Sequence, residues 1–148
     1  MKRSKRLATV IDLAKRKVDE AALALAFVQR KLGEEESKLG QLEQYLTEYR
    51  ATIQSEGRKG FSVQEFRRYN DFSENVAKAI TQQGAQVNTV KRQIEQVRRH
   101  WQMLDARHKG VLKLQDKALA EEYKAQERLE QKELDELAGR WRLRHPRL

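Results

Sequence analysis

Apolar positions in the first third of the chain recur with a 4,3 alternation. They are Leu7, Ile11, Ala14, Val18, Ala21, Leu25, Val28, Leu32, Glu35, Leu39, Leu42, Leu46, Tyr49 and Ile53, and only Glu35 interrupts them. A sustained 3.5-residue period keeps one stripe turned toward a partner helix, the mark of a coiled-coil seam. Residues 5–55 are therefore predicted to form one helix of roughly 75 Å, at ~1.5 Å per residue. Gly33 and Gly40 weaken it locally, by up to ~1 kcal/mol each against Ala. A second stripe runs through Phe66, Tyr69, Ser73, Val76, Ile80, Gln83, Val87, Val90, Ile94, Val97, Trp101, Leu104, His108 and Val111. It places a second helix over residues 62–138, followed by a basic tail, 139–148, that is expected to be disordered.

Between the stripes, residues 56–61 hold Gly57 and Gly60, the one place where two glycines fall within four residues. Ser62 and Glu65 have capping-box spacing, and Phe61 and Phe66 occupy the positions of a hydrophobic staple. A short connection between long helices implies an antiparallel hairpin. The predicted fold is thus all-α, a long antiparallel two-helix coiled coil with a C-terminal helical overhang. With the turn centred between Gly57 and Arg58, Ile11 faces Leu104, Val18 faces Val97, Leu25 faces Val90, Leu39 faces Val76 and Leu46 faces Tyr69. Trp101 falls opposite the small Ala14, as interdigitated packing prefers. In this register helix 1 runs out near residue 114. Residues 115–148 then overhang, carried by opposite-charge pairs one turn apart such as Lys117 with Glu121 and Lys132 with Glu136. Each pair contributes only ~0.2–0.5 kcal/mol, so the overhang is expected to fray without a partner.

Composition narrows the picture. The 148 residues include 7 Gly, 1 Pro and no Cys, and Lys+Arg exceeds Asp+Glu by 31 to 22, a formal net charge of +9. The single proline, Pro146, interrupts no helix. Absence of cysteine excludes disulfide frameworks, thiolate metal sites and cysteine nucleophiles. No run approaches the ~18 apolar residues of a membrane span, and the N-terminus lacks the apolar core of a signal peptide.

The charge is uneven. Residues 1–18 hold seven Lys/Arg against Asp12, and residues 139–148 hold four Arg and no acid. The hairpin returns the N-terminus beside a segment containing Arg98 and Arg99. One end of the predicted rod is therefore basic on both helices. It is either a solvated face or a surface for an acidic protein, nucleic acid or anionic lipid. The aromatics gather at the other end, where Tyr45, Tyr49, Phe61, Phe66, Tyr69 and Phe72 lie within 28 residues, counting from 45 to 72. Tyr45 and Phe72 sit beside the seam. They either thicken the tip or form an exposed contact patch.

Catalytic chemistry finds no support. Gly57-Arg58-Lys59-Gly60 lacks the spacing and preceding strand of a phosphate loop. His100, His108 and His145 show no metal-ligand spacing. Two helices enclose no pocket in which carboxylate pKa values could be tuned. No enzyme activity, catalytic residue, metal or cofactor is expected.

The chain resembles the FliJ family of flagellar type III export proteins. The likeness runs from Leu7-Ala8-Thr9 with Asp12-Leu13-Ala14, through Leu42, Tyr45 and Tyr49-Arg50, to Tyr69, Phe72 and Ala79-Ile80-Thr81-Gln82. It resumes at Arg128-Leu129, Gln131-Lys132 and Asp135-Glu136. The resemblance implies a fold like the central stalk of a rotary ATPase. It also implies three partners: the hexameric flagellar export ATPase, the cytoplasmic domain of the export-gate membrane protein, and export chaperones. The implied location is the cytoplasm, peripheral at the cytoplasmic face of the inner membrane. The gate-contacting surface would carry over to Leu42, Tyr45, Tyr49, Phe72, Val76, Ala79 and Gln83. Lys38 and Gln83 depart from the glutamine and histidine of that surface. The ATPase-facing end would be the basic one: Lys2, Arg3, Lys5, Arg6, Lys15, Arg16, Arg98 and Arg99. Two alternatives stand beside this reading. One is the stalk of a virulence-type secretion system. The other is a basic coiled coil that binds nucleic acid, a partner not expected of the export stalk.

Overall fold

The computed structural model describes residues 1–146. Two helices, α1 (Arg3–Gly57) and α2 (Val63–Arg144), pack against each other as an antiparallel hairpin. The expected all-α hairpin is therefore the observed fold. Every stripe position named above is buried or half-buried, with the single exception of Phe66. The most covered side chains are Ala21, Leu46, Val87, Val90, Ile94, Leu104 and Ala118, and Val90 is fully sealed.

The turn lies later than expected. α1 continues through Glu56 and Gly57, and Gly60 carries the left-handed backbone, with φ of 94°. Only glycine adopts that conformation without steric cost, so Gly60 makes the reversal. The Ser62 hydroxyl accepts the Glu65 N–H at 3.1 Å, one half of the expected capping box. The staple is replaced by a different contact. The Phe61 ring packs on Tyr69, with centroids 5.0 Å apart, while Phe66 remains 61% exposed.

Displacing the turn displaces the register. Glu35 meets Gln83 rather than Ile80, and Tyr49 meets Tyr69 rather than Phe66. Ala14 shares a groove with Leu104, not the expected Trp101. A half-heptad shift still brings apolar positions face to face, because the 4,3 alternation nearly repeats after three or four residues.

The chain divides into two compact units, Glu20–Gln102 and Met1–Asp19 with Met103–Leu148. In the terminal unit the packed region extends well past residue 114. Ala118 is buried, Gln115 Nε2 donates to the Ser4 carbonyl at 3.3 Å, and Glu122 accepts from Ser4. From Tyr123 to Pro146 every residue is exposed. The overhang thus begins at Tyr123, not at residue 115. α2 also runs to Arg144, past the expected end at 138. Residues 140–144 are helix formers, and Arg142 and Arg144 in the last turn complement the negative end of the helix dipole. The last two positions of the expected tail, 147 and 148, lie outside the described residues. Among the described residues none of the overhang's expected ion pairs is closed. The five pairs that form are Lys15–Asp19, Lys38–Glu35, Arg98–Glu95, Arg99–Glu95 and Lys109–Asp105.

Candidate functional site

The unit Glu20–Gln102 carries the aromatic cluster. Tyr45 and Tyr49 lie one turn apart on α1 and stack at 6.4 Å. Phe72 of α2 packs on both, with centroids 6.2 Å from Tyr45 and 4.7 Å from Tyr49. Tyr49 continues to Tyr69, and Tyr69 to Phe61. Five rings therefore form one connected ladder. Tyr49, Tyr69 and Phe61 are its half-buried part. Tyr45, 49% exposed, and Phe72, 39% exposed, form its open edge. Burial, then the neighbouring Tyr69 and Tyr45 hydroxyls, push the Tyr49 phenol above its ordinary pKa. Tyr49 is thus a neutral buttress under the exposed pair.

Leu42, Val76, Ala79 and Gln83 are all half-buried. Gln83 is occupied. Its Nε2 donates to the Glu35 carbonyl at 3.0 Å and to the Glu35 carboxylate. Lys38 Nζ lies 3.6 Å from the same carboxylate. The Gln83 hydrogen bond holds the Glu35 carboxyl below its ordinary range, against partial burial and with help from Lys38. The two positions that depart from the gate-contacting pattern are thus joined through one acid. Gln83 bridges the two helices there, while Lys38 pairs with Glu35 along α1 from an exposed position.

In the terminal unit, Lys2, Arg3, Lys5 and Arg6 are exposed around the buried Ser4. The Ser4 N–H donates to Glu122 Oε1 at 3.1 Å, and its hydroxyl donates to Oε2 at 2.7 Å. A carboxylate of α2 therefore caps the N-terminus of α1, where the helix dipole favours negative charge. The cap anchors the segment on which the four cations are displayed. Lys15 and Arg16 are exposed too, and Lys15 is paired with Asp19 at 3.5 Å. Arg98 and Arg99 belong to the other unit, where both pair with Glu95. They share that one carboxylate, so each is partly compensated locally. The Ser4–Glu122 contact has no local sequence signal, since 118 residues separate its partners.

The Ser4 hydroxyl and then its N–H hold the Glu122 carboxyl below its ordinary value of 4.5. A carboxyl depressed on folding stabilises fully above its unfolded pKa and loses that contribution as pH falls through the lower folded one. Amide exchange in the first turn of α1 is therefore expected to quicken as pH is lowered from 4.5, after correction for intrinsic rates. Glu122→Ala, which removes the acceptor of both Ser4 bonds, should show quick exchange already at neutral pH. Slow neutral-pH exchange in that variant would contradict the cap.

Among the described residues no group of three or more His, Asp or Glu could hold a metal ion. No helix there is long and apolar enough to cross a membrane. The grooves on the surface are open rather than enclosed. Fold and surface together define a helical-hairpin protein with two exposed features, an aromatic edge on one unit and a capped cationic segment on the other. The model of the flagellar FliJ protein family matches residues 3–147, and the chain belongs to that family. It is 31% identical to the flagellar FliJ protein of Escherichia coli K12, over 95% of each chain. It is 30% identical to that of Salmonella typhi, over the same shares. No solved structure matches the chain significantly.

Proposed function

We propose that this chain is a non-enzymatic stalk component of the flagellar protein export apparatus. It binds the hexameric export ATPase and promotes its activity. It contacts the cytoplasmic domain of the export-gate membrane protein and escorts export chaperones, at the cytoplasmic face of the inner membrane. The observation that carries the reading is the open edge of the aromatic ladder. Tyr45 and Phe72 remain exposed over the half-buried Tyr49, at two positions of the gate-contacting surface that the resemblance implies. Aromatic side chains of this kind act as anchors because they offer large area at low entropic cost. The cations around Ser4 suit an acidic rim on the ATPase. The flagellar family match favours this system over a virulence-type one.

Capture of the tagged chain from extract of its own cells, with nucleic acids left intact, tests the proposal. Recovery of the export ATPase supports it. Recovery of nucleic acid alone, lost at high salt, would replace it with the nucleic-acid reading.

A further inference from the structure

The exposed part of α2 has an apolar face that α1 does not cover. Seam positions of the terminal unit run through Leu104, His108, Val111, Gln115, Ala118 and Glu122. Continued at the same spacing, they reach Ala125, Leu129, Lys132 and Glu136, a mixed series. The apolar stripe instead follows Leu134, Leu137 and Trp141. It lies two residues from the old seam, ~160° around the helix at ~100° per residue and so close to the opposite face. Leu134 is 59% exposed, Leu137 58% and Trp141 52%. A face that departs from the α1 seam belongs to a different partner.

Charge along this face identifies the partner. Extended in both directions, the 4,3 spacing gives Glu127, Glu130, Leu134, Leu137, Trp141 and Arg144. The stripe is acidic before its apolar centre and basic after it, as are the flanking Glu133 and Arg140. We infer that the exposed ends of α2 from two copies of this chain pair antiparallel through this stripe. A two-fold axis beside Leu134 and Leu137 sets each Leu134 against the partner's Leu137. It sets Glu127 against the partner's Arg144 and Glu133 against the partner's Arg140, each pair occurring twice. Parallel pairing would set Glu130 and Arg144 against their own copies. A one-heptad slip either sets Arg140 on Arg140 or buries the leucines against Glu127 and Glu130. The stated register pairs Glu127 and Glu133 with arginines and sets Glu130 beside the partner's Trp141, and no other register pairs as many charges. The contact is isologous, so it closes at two copies. The helix is already nucleated by the packed part of α2, so pairing bears no nucleation cost.

The interface is short, and its affinity is correspondingly weak, in the range of roughly tens to hundreds of micromolar. The test is sedimentation equilibrium of the full chain alone up to about that range, at low salt. It is independent of any ATPase or gate protein. The expected result is a mass rising with concentration from one copy toward two. Arg140→Glu and Glu133→Arg should each weaken the association by about tenfold or more, and the double variant should restore it. Leu134→Ala with Leu137→Ala should abolish it. A mass that stays at one copy overturns the inference. So does a dimer indifferent to the leucines, or a double charge reversal that fails to rescue.

Discussion

Replacing Tyr45 and Phe72 together by alanine is expected to leave the hairpin folded and to weaken binding to the gate domain by about a hundredfold. Both rings are substantially exposed, while the sealing of the seam rests on Val87, Val90 and Ile94. Their removal therefore costs contact area more than core packing. Helicity should stay close to that of the parent chain. Interface aromatics that act as anchors cost ~2 kcal/mol or more when truncated. Two such losses on one edge, non-additive because the rings touch the same Tyr49, give the hundredfold figure. Tyr49→Ala makes a useful contrast. It removes the half-buried ring that carries both exposed ones, so it should lower stability as well as affinity. Unchanged gate affinity in the Tyr45→Ala, Phe72→Ala variant, with the fold intact, would remove the aromatic edge from the account.

Neutralising Lys2, Arg3, Lys5 and Arg6 to glutamine is the second substitution of large expected effect. Stimulation of the export ATPase should require about tenfold more of the variant, or be lost. Exposed charges contribute ~0.2–1 kcal/mol each, and four acting on one rim sum to a measurable deficit. Raising salt should reproduce the deficit in the parent chain, since exposed charges are screened over ~10 Å at 0.1 M. Ser4 must be retained in the variant. Its bonds to Glu122 hold the start of α1, and losing them would confound charge with order. Neutralising Arg98 and Arg99 instead should matter less, because Glu95 already pairs with both. Unaltered stimulation by the four-fold variant would contradict the role given to this segment.

The seam was legible in the sequence because a 3.5-residue period maps directly onto one face of a helix. All but Phe66 of its positions are covered. The observed register differs from the expected one for a physical reason. Two apolar stripes align almost equally well at half-heptad steps, so apolar matching cannot choose between them. The deciding signal was polar and present: Glu35 is the one acid in the first stripe, and Gln83 stands in the second. Pairing those two interruptions yields the observed register and would have moved the turn to Gly60. The aromatic cluster could be placed near the turn from position alone. Its division into buttress and open edge depends on which ring lies over which, and that follows from the register. The Ser4–Glu122 cap was beyond reach, since neither residue is distinctive and their encounter depends on how far α1 extends along α2.

The central claim, that this chain is a stalk acting on the export ATPase, is tested most directly by hydrolysis. The measurement is the ATP turnover rate of the purified export ATPase from the same organism as this chain is titrated in. The account predicts a saturable rise in turnover, accompanied by a shift of the ATPase toward its hexamer and diminished by salt. A rate and an assembly state that remain flat across the titration would contradict it.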